Sequence, residues 1–571
     1  MKWTKRTACT SCSDYVSKTT GLSEDEFFAP DYGFVPSITN LEKAANFILK
    51  DIQLKKKITI IGDYDADGVT SSAILCRLFR VFGIEVKTIL PRRFTDGYGM
   101  NIHMVDSVES GLIITVDNGI AAIEPIAKAK AKGLDVIVLD HHPMNEDNKA
   151  LPCADVIVDP SAIPGDEFSG YCGAGLAYRL AEILIPGGKY QAIKDKILDD
   201  LSALAAIGTV ADSMDILSDN RRIVKKGLKA MNNGTNISGL SALIDVANVK
   251  VITSEKIGFT FGPMINACGR LLDDGPYLAF NLLTSTENYE ELIPYAERLV
   301  ELNNERKELT VIDLEEAERI IEDECLFSDT VLTVCGENFN EGIVGIIASR
   351  LVEKYGRPAI VCNKKVITNS DGKEISVYKG SGRSINGINL KSVLEKATDF
   401  MLGYGGHAAA AGVSIYADKL CNFKNIVCEQ VDQSSVSKVV DELFYDFEVP
   451  FDCLEAFIKE QNLYAPYGKG IPMPVVKIAD VTLLPRNGFS FACFGANDEH
   501  LRLFSKDISM MFFRQAEKYL KAKSAKVDVV GQLSFGEYDK FSLTGIDFKP
   551  SETEIKRSSL ANSLLAHMKK L

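Results

Sequence analysis

Ile58-Thr59-Ile60-Ile61-Gly62-Asp63-Tyr64-Asp65-Ala66-Asp67-Gly68 is the stretch on which the fold turns. Four β-branched residues in a row read as a strand buried on both faces, and such strands belong to parallel sheets covered by helices. The run opens into three carboxylates at alternate positions, then a glycine. Residues two apart at a strand end project to the same face, so several oxygens can be aimed at one cation. Left unneutralised in a low-dielectric crevice, these anions would repel one another, and a divalent cation is the simplest remedy. A solvated acidic turn or a calcium loop are the alternatives. The calcium loop needs a bidentate Glu further along, where the chain has Ile74.

The same alternation continues outward. Val86–Leu90, Leu112–Val116, Val136–Leu139 and Val156–Val158 read as further buried strands. Thr70–Phe82 and Ile120–Ala131 read as helices that stop at Gly83 and Gly133. Strands alternating with helices predict βαβ units and a parallel sheet. Three strands run into Asp-bearing turns: Gly62-Asp63, Asp117-Asn118-Gly119 and Asp140-His141-His142. Ligands of open α/β sheets bind at the carboxyl ends of strands, so these turns are expected to converge on one edge. Adjacent histidines are notable in a chain with only six. An imidazole beside carboxylates suits Mn²⁺ or Zn²⁺ better than Ca²⁺, although two surface histidines in a loop would look the same. Asp117 taken alone is an ordinary turn residue, and Asp212, which ends the helical stretch Leu198–Gly208 and its Val210-Ala211 extension, is unremarkable by itself.

Beyond the first unit, Tyr295 to Glu322 lacks Gly and Pro, and its apolar positions predict a long, partly solvated helix linking two domains. A second α/β unit follows: strand Val331–Val334, helix Ile343–Tyr355 and strand Ala359–Cys362, closing near Ser414. After the Pro466–Pro474 punctuation, Val475–Leu483, Leu501–Phe504, Ile508–Phe513, Val527–Leu533 and Phe541–Phe548 read as strands of a small β-barrel. The expected fold class is thus α/β with a parallel-sheet first domain, a long connecting helix, a second α/β domain and a small β-barrel. Boundaries are placed at 1–50 for an N-terminal segment, 51–235, 236–325 for the helical connector, 326–440, 441–552, and 553–571 for a short helix or frayed tail.

Bulk properties constrain the rest. A chain of 571 residues exceeds one core. With 46% hydrophobic and 25% charged residues it reads as globular and soluble. No apolar run reaches the roughly 18–20 residues that span a bilayer, and no signal-peptide core is evident, so a cytoplasmic location and no membrane partner are expected. The thirteen cysteines read as small core residues of a reducing compartment. Cys9 and Cys12 have CxxC spacing without a second pair to complete a zinc site. The net charge of −14 is weak evidence against nucleic acid, because a carboxylate cluster itself adds negative charge.

In order, the DYDADG, VDNG and DHH motifs and the later Val210-Ala211-Asp212 resemble the four-motif pattern of the DHH phosphoesterase superfamily. Arg93 before Gly97-Tyr98-Gly99, Asn266 to Arg270, Gly342 to Leu351, Ser381-Gly382-Arg383, Gly405-Gly406-His407 and Tyr467 to Pro472 narrow the likeness to its RecJ family of single-strand-specific 5′→3′ exonucleases. The likeness runs from about residue 25 to 550. It implies that Asp65, Asp67, Asp117, His141 and Asp212 ligate two Mn²⁺ or Mg²⁺ ions, with Asp63, Asp140 and His142 close behind them or touching substrate. It also implies a pocket for the terminal 5′-phosphate built from Arg93, Arg270, Ser381 and Arg383, with Tyr98 stacking on a base. His407 would contact the scissile phosphate or the DNA backbone, and Gly405 and Gly406 would let the backbone approach an anion. A surface ion pair for each arginine and a plain tight turn for the glycines are the ordinary alternatives. The second α/β domain would be the DHH-associated domain and the barrel an OB fold, whose groove and aromatics hold single strands. Phe489, Phe491 and Phe494 are assigned to the barrel core rather than to stacking.

The implied activity is release of mononucleotides from single-stranded DNA bearing a 5′ end, in DNA repair and recombination. The protein would act as a monomer, with a helicase and a single-strand-binding protein as partners. A phosphodiesterase for short oligonucleotides or cyclic dinucleotides is the enzyme alternative, and the β domain counts against it. A non-catalytic scaffold would have eroded ligands, and these motifs are intact. The chain departs from the family pattern at Phe339-Asn340-Glu341, Met264 and Ile471.

Overall fold

The strand Ile58–Ile61 lies between Lys87–Ile89 and Leu112–Val116, and Asp135–Leu139 and Val156–Val158 complete a five-stranded, wholly parallel sheet. All five expected strands are present within a residue or so. On one face, Ile61, Ile113, Val136 and Val138 pack with Met104, Val105, Ile126 and Ala129 from two short helices, all buried. Each of these side chains larger than Ala129 contributes about 1.5–3 kcal/mol by leaving water. On the other face, helix Ala66–Val81 packs against helices Gly173–Leu184 and Gln191–Ala211. The computed structural model describes residues 2–6, 9–144, 150–368, 373–385, 387–433, 435–436, 442–486, 488–495, 497–536 and 539–551.

Two helices differ from the sequence reading for a local reason. Ala66–Val81 starts four residues before Thr70, because the Asp65 carboxylate accepts the N–H groups of Asp67 at 2.9 Å and Gly68 at 3.0 Å and so caps the helix. The acidic motif therefore straddles a helix start, and its carboxylates are not displayed by strand alternation. Gln191–Ala211 is longer than the stretch read as helical, and Asp212 is its C-terminal cap residue.

The long helix spans Tyr289–Asp323 and tolerates Pro294 in its second turn. It leads into a second sheet ordered Met401–Gly406, Ala410–Tyr416, Glu374–Arg383, Ala359–Thr368, Leu332–Gly336. Only the last pair is parallel. Helix Val344–Tyr355 and the long helix cover one face, and Leu390–Glu395 and Leu420–Glu429 cover the other. This domain thus ends in a helix beyond Ser414.

The described residues group into two compact units. Pro36–Asp212 with Ile223–Val440 forms one. Met1–Val35, Ser213–Arg222 and Asp441–Leu571 form the other. In the latter, seven strands are ordered Phe447–Glu448, Val476–Thr482, Lys526–Phe535, Phe541–Pro550, Ile508–Phe512, His500–Phe504, Phe491–Phe494. The N-terminal strand Lys2–Lys5 pairs with Glu442–Tyr445. Arg221, fully buried, lies 4.2 Å over the Phe27 ring and donates to the carbonyls of Tyr464, Ala465 and Pro466.

Leu501, Leu503, Met510, Phe512, Leu543 and Phe548 fill the β-domain core. Phe489 does not: it is 69% exposed. Phe491 is half-buried against Tyr519, and Phe494 is half-buried against His500 and Phe513. The assignment of these rings to the core is therefore corrected for Phe489 and holds only in part for the other two. Phe489 is in a turn, bridged to Arg486, where no barrel layer covers it. Cys9 and Cys12 are buried, and among the described residues neither joins a metal-ligating cluster. The tail at 553–571 lies outside the described residues. Among the described residues no helix is long and apolar enough to cross a membrane.

Candidate metal centre and phosphate pocket

The strand ends deliver their carboxylates to one crevice. Three sets of donors each lie within 4.8 Å of one another: Asp63, Asp65 and Asp117; Asp67, His141 and Asp212; and Asp117, His141 and His142. Asp117 belongs to two of the sets and sits 3.0 Å from His141 Nε2, which is also 3.8 Å from Asp67 and 3.7 Å from Asp212. Asp117 has φ +61°, a left-handed conformation that Asp tolerates better than most residues. Strain of this kind persists where surrounding structure holds it, commonly at functional sites.

Burial, then the neighbouring carboxylates, push Asp63 and Asp117 well above the ordinary Asp range. That uncompensated charge, together with oxygen and imidazole donors in adjoining sets, fits hard or borderline divalent cations. Asp63 is as well placed to ligate as Asp65.

The supporting contacts are equally specific. Asp67 accepts the backbone N–H groups of Gly173 at 2.7 Å and Ala174 at 2.9 Å, the first turn of helix Gly173–Leu184. Two glycines make room for it. A Cβ on Gly173 would lie 2.6 Å from Asp117 Cβ, and one on Gly208 2.6 Å from Asp67 Oδ1. Asp140 is buried and accepts the N–H groups of His141, His142 and Ile120. Its Oδ1 lies 2.8 Å from His142 Nδ1. Although burial works against both charges, this pairing holds Asp140 below the usual carboxylate range and raises His142 to about 9. Asn118 donates to the carbonyls of Ile61, Gly62 and Val116, tying two strand ends together.

Tyr98 extends this chain, with its hydroxyl 3.1 Å from His142 Nε2 and its ring 53% exposed. Arg93 stacks 4.1 Å over Tyr64, and its buried Nε has no hydrogen-bond partner among the described residues. Arg270 donates to the Gly342 carbonyl. Burial, then Arg93, Arg306 and Arg383, depress its pKa to about 10. Arg383 donates to Ser381 Oγ at 2.6 Å. A Cβ on Gly345, in the first turn of Val344–Tyr355, would meet Arg383 Nη2 at 2.8 Å. Converging guanidiniums beside a helix start make a site for an anion with several oxygens.

The remaining sequence-derived residues are less engaged. His407 is exposed and, among the described contacts, has none with the carboxylate cluster. Its N–H donates to Ala410, whose strand register puts this turn at the Arg383 end of the sheet. Gly405 and Gly406 are exposed, and Gly406 has φ +136° with Ala410 O 2.4 Å from its would-be Cβ, a requirement the tight turn itself explains. Arg306, Gly173, Ala174 and Gly208 were not singled out in the sequence. The Gly-Ala-Gly run after Cys172 was a usable signal, but nothing local marks Arg306. At the departures, Asn340 caps its own turn by accepting the Gly342 N–H, Met264 and Ile471 are buried, and Phe339 packs in the core.

A parallel-sheet domain with this donor set, joined to a second domain that adds Ser381 and Arg383 to the arginine pocket, defines the DHH type of phosphoesterase. Models of the DHH family N-terminal domain, the DHHA1 domain and the RecJ OB domain match residues 57–209, 328–433 and 445–543. The single-stranded-DNA-specific exonuclease RecJ of Bacillus subtilis is 32% identical over 87% of this chain, which spans 62% of that relative's length. RecJ of Haemophilus influenzae is 33% identical over 70% of this chain and 71% of its own. The crystal structure of Thermus thermophilus RecJ in complex with Mn²⁺ matches with a TM-score of 0.75 and 25% identity, covering 95% of this chain and 76% of that one. The chain belongs to the RecJ family.

Proposed function

We propose that this chain is a single-stranded-DNA-specific exonuclease that releases mononucleotides from the 5′ end, in DNA repair and recombination. The observation that carries the reading is one helix, Gly262–Leu271, that joins the metal centre to the arginine pocket. Asn266 Oδ1 accepts the N–H of Ala66 in the acidic motif, and Arg270, four residues on, stands in the pocket. Four residues of helix rise about 6 Å, the scale of one nucleotide. A terminal phosphate gripped by Arg93, Arg270, Ser381 and Arg383 would leave the next phosphodiester at the carboxylates, so that each cut frees a single nucleotide. The 5′ polarity follows the family.

Asp65, Asp67, Asp117, His141 and Asp212, with Asp63 in reach, would hold two Mn²⁺ or Mg²⁺ ions, which when bound supply charge neutralisation at the phosphoryl oxygens and activation of water. Asp140 fixes the His142 imidazole and accepts the backbone N–H of His141. Tyr98, anchored through His142, offers its exposed face to the terminal base, and His407 is placed to meet the backbone near the pocket. The β domain would hold the strand, which sets this reading above one confined to dinucleotides. The division at 51–235, 236–325, 326–440 and 441–552, a monomeric state, a cytoplasmic location, and help from a helicase and a single-strand-binding protein belong to the same proposal.

The test is hydrolysis of end-labelled strands blocked at the 5′ or the 3′ end, with Mn²⁺ and Mg²⁺ compared. Only the 5′ block should stop the wild-type protein. Asp67→Ala and His141→Ala should fold yet fail to cut, and undiminished cleavage by both would remove the assigned centre.

A further inference from the structure

Four arginine side chains meet around the phosphate pocket, and none forms an ion pair among the described residues. Arg93 lies over the Tyr64 ring, Arg270 donates to the Gly342 carbonyl, and Arg383 donates to Ser381 Oγ and the Gly382 carbonyl. Arg306 is the fourth. Its Nε and Nη2 donate to Asn303 Oδ1 at 3.2 and 3.0 Å, and Nη1 has no partner among the described residues. All these partners are neutral, whereas a cation taken partly out of water calls for an anion.

Arg306 belongs to this group by its place on the long helix Tyr289–Asp323. Asn303, Arg306, Thr310 and Asp313 recur on one helix face. Asp313 accepts the N–H of Asn340 at 2.9 Å, and Gly342, two residues on, supplies the carbonyl that holds Arg270 at 3.0 Å. That face therefore lies against the turn behind Arg270. After burial and Arg93, it is Arg306 that most lowers the pKa of Arg270.

The second sheet carries the positive charge further. Lys379, Ser381 and Arg383 alternate along the strand Glu374–Arg383 and project from one face. Opposite Ser381 lie Gly412 and then Gly405, and opposite Lys379 lie Ser414 and then Gly403. A Cβ on Gly403 or Gly405 would meet nothing within 4 Å, so the face beside them is open. Lys379 is exposed, about 7 Å along the strand from Ser381, and has no hydrogen bond or ion pair among the described residues. Its neighbour Lys365 is paired with Glu341, in the same turn that Arg306 faces.

A terminal phosphate monoester carries about −1.5 to −2 at neutral pH, roughly half of what the four guanidiniums offer. Asp63 and Asp65 do not make up the difference, because they face the metal centre, whose cations offset them when bound. We propose that the pocket also accepts strands whose 5′ end carries a triphosphate, with Arg306 and Lys379 binding the phosphates beyond the first. The inference rests on the exonuclease reading above. The first phosphate keeps its place at Arg93, Arg270, Ser381 and Arg383, so the same phosphodiester reaches the carboxylates. Water then adds across the bond between the first nucleotide's 3′ oxygen and the next phosphorus. Its oxygen goes to that phosphorus and its proton to the 3′ oxygen. The first product is an intact nucleoside triphosphate, and the shortened strand carries a 5′-monophosphate.

The experiment uses the full chain, Mn²⁺ in excess, and one DNA oligonucleotide prepared with a 5′-hydroxyl, a 5′-monophosphate or a 5′-triphosphate. The first product is identified by ion-exchange chromatography and kcat/KM is measured for each end. The wild type should cut the triphosphate strand at least as well as the monophosphate strand and release the nucleoside triphosphate first. In Arg306→Gln, and in Lys379→Ala at an exposed position, the ratio of kcat/KM for triphosphate over monophosphate should fall about tenfold, the low end for one charged hydrogen bond. A triphosphate end cut more slowly than the monophosphate end overturns the proposal. So does a nucleoside monophosphate as first product, or a ratio unmoved in both variants. Should the wild type fail to cut the monophosphate strand, it is the exonuclease reading that fails.

Discussion

The carboxylate of Asp67 receives the backbone N–H of Gly173 at 2.7 Å, across 106 residues of chain. A helix start thereby aims a carboxylate that belongs to another helix. The positive end of the Gly173–Leu184 dipole also favours the anion, and no side chain larger than hydrogen fits at Gly173 without striking Asp117.

Gly173→Ala should therefore weaken metal binding without unfolding the protein. Mutating groups that orient a ligand typically costs 10–100-fold in metal affinity, and titration calorimetry with Mn²⁺ should show a loss of about that size. Wild-type affinity in this variant would mean that Asp67 is positioned by other contacts.

Asp117→Asn keeps the left-handed backbone, since Asn also tolerates positive φ, and removes one anion from a crowded cluster. In metal-free buffer its melting temperature should equal or exceed that of the wild type. The wild type should gain about 2.7 kcal/mol at a Mn²⁺ concentration a hundredfold above its Kd. The variant should gain almost none, and an equal gain in thermal melts would show that Asp117 is not a ligand.

Arg383→Lys retains a charge but not the planar fork that pairs with phosphate oxygens. We expect the preference for a 5′-phosphate over a 5′-hydroxyl, measured as a ratio of kcat/KM values, to fall about tenfold, the low end for a hydrogen bond to a charged group. A ratio that does not move would take Arg383 out of the pocket.

Arg221→Ala tests the other compact unit. It leaves three main-chain carbonyls without their donor and empties the space over Phe27. Stability to urea should drop by on the order of 3 kcal/mol, and a change below about 0.5 kcal/mol would contradict the buried role.

Much of the first domain was legible because its strands are short apolar runs whose ends carry unusual residues. Ile58–Ile61 and Leu112–Val116 were bounded to the residue, and Asp63, Asp117 and His141 fell where a parallel sheet must place them. The helix around Asp67 was read less well. Its start depends on Asp65 acting as a cap, which competes with the strand-like alternation of the same residues. Phe489 was misassigned because an apolar residue between strands carries no mark of whether a layer covers it. Arg306 was passed over because a lone arginine on a long helix is chemically ordinary until Arg270 is folded against it.

By itself, then, the sequence determined the architecture of the catalytic sheet, the chemistry of its acidic and histidine turns and the family, since periodicity and motif order are properties of the chain. Tertiary structure alone decided which carboxylates share a cluster, that Gly173 and Gly208 open the space for Asp67, and that one helix carries both Asn266 against the acidic motif and Arg270 in the arginine pocket. Those are relations between segments distant in the chain or between faces of a helix. They are set by backbone approach to within a few tenths of an ångström, which no local pattern of residues encodes.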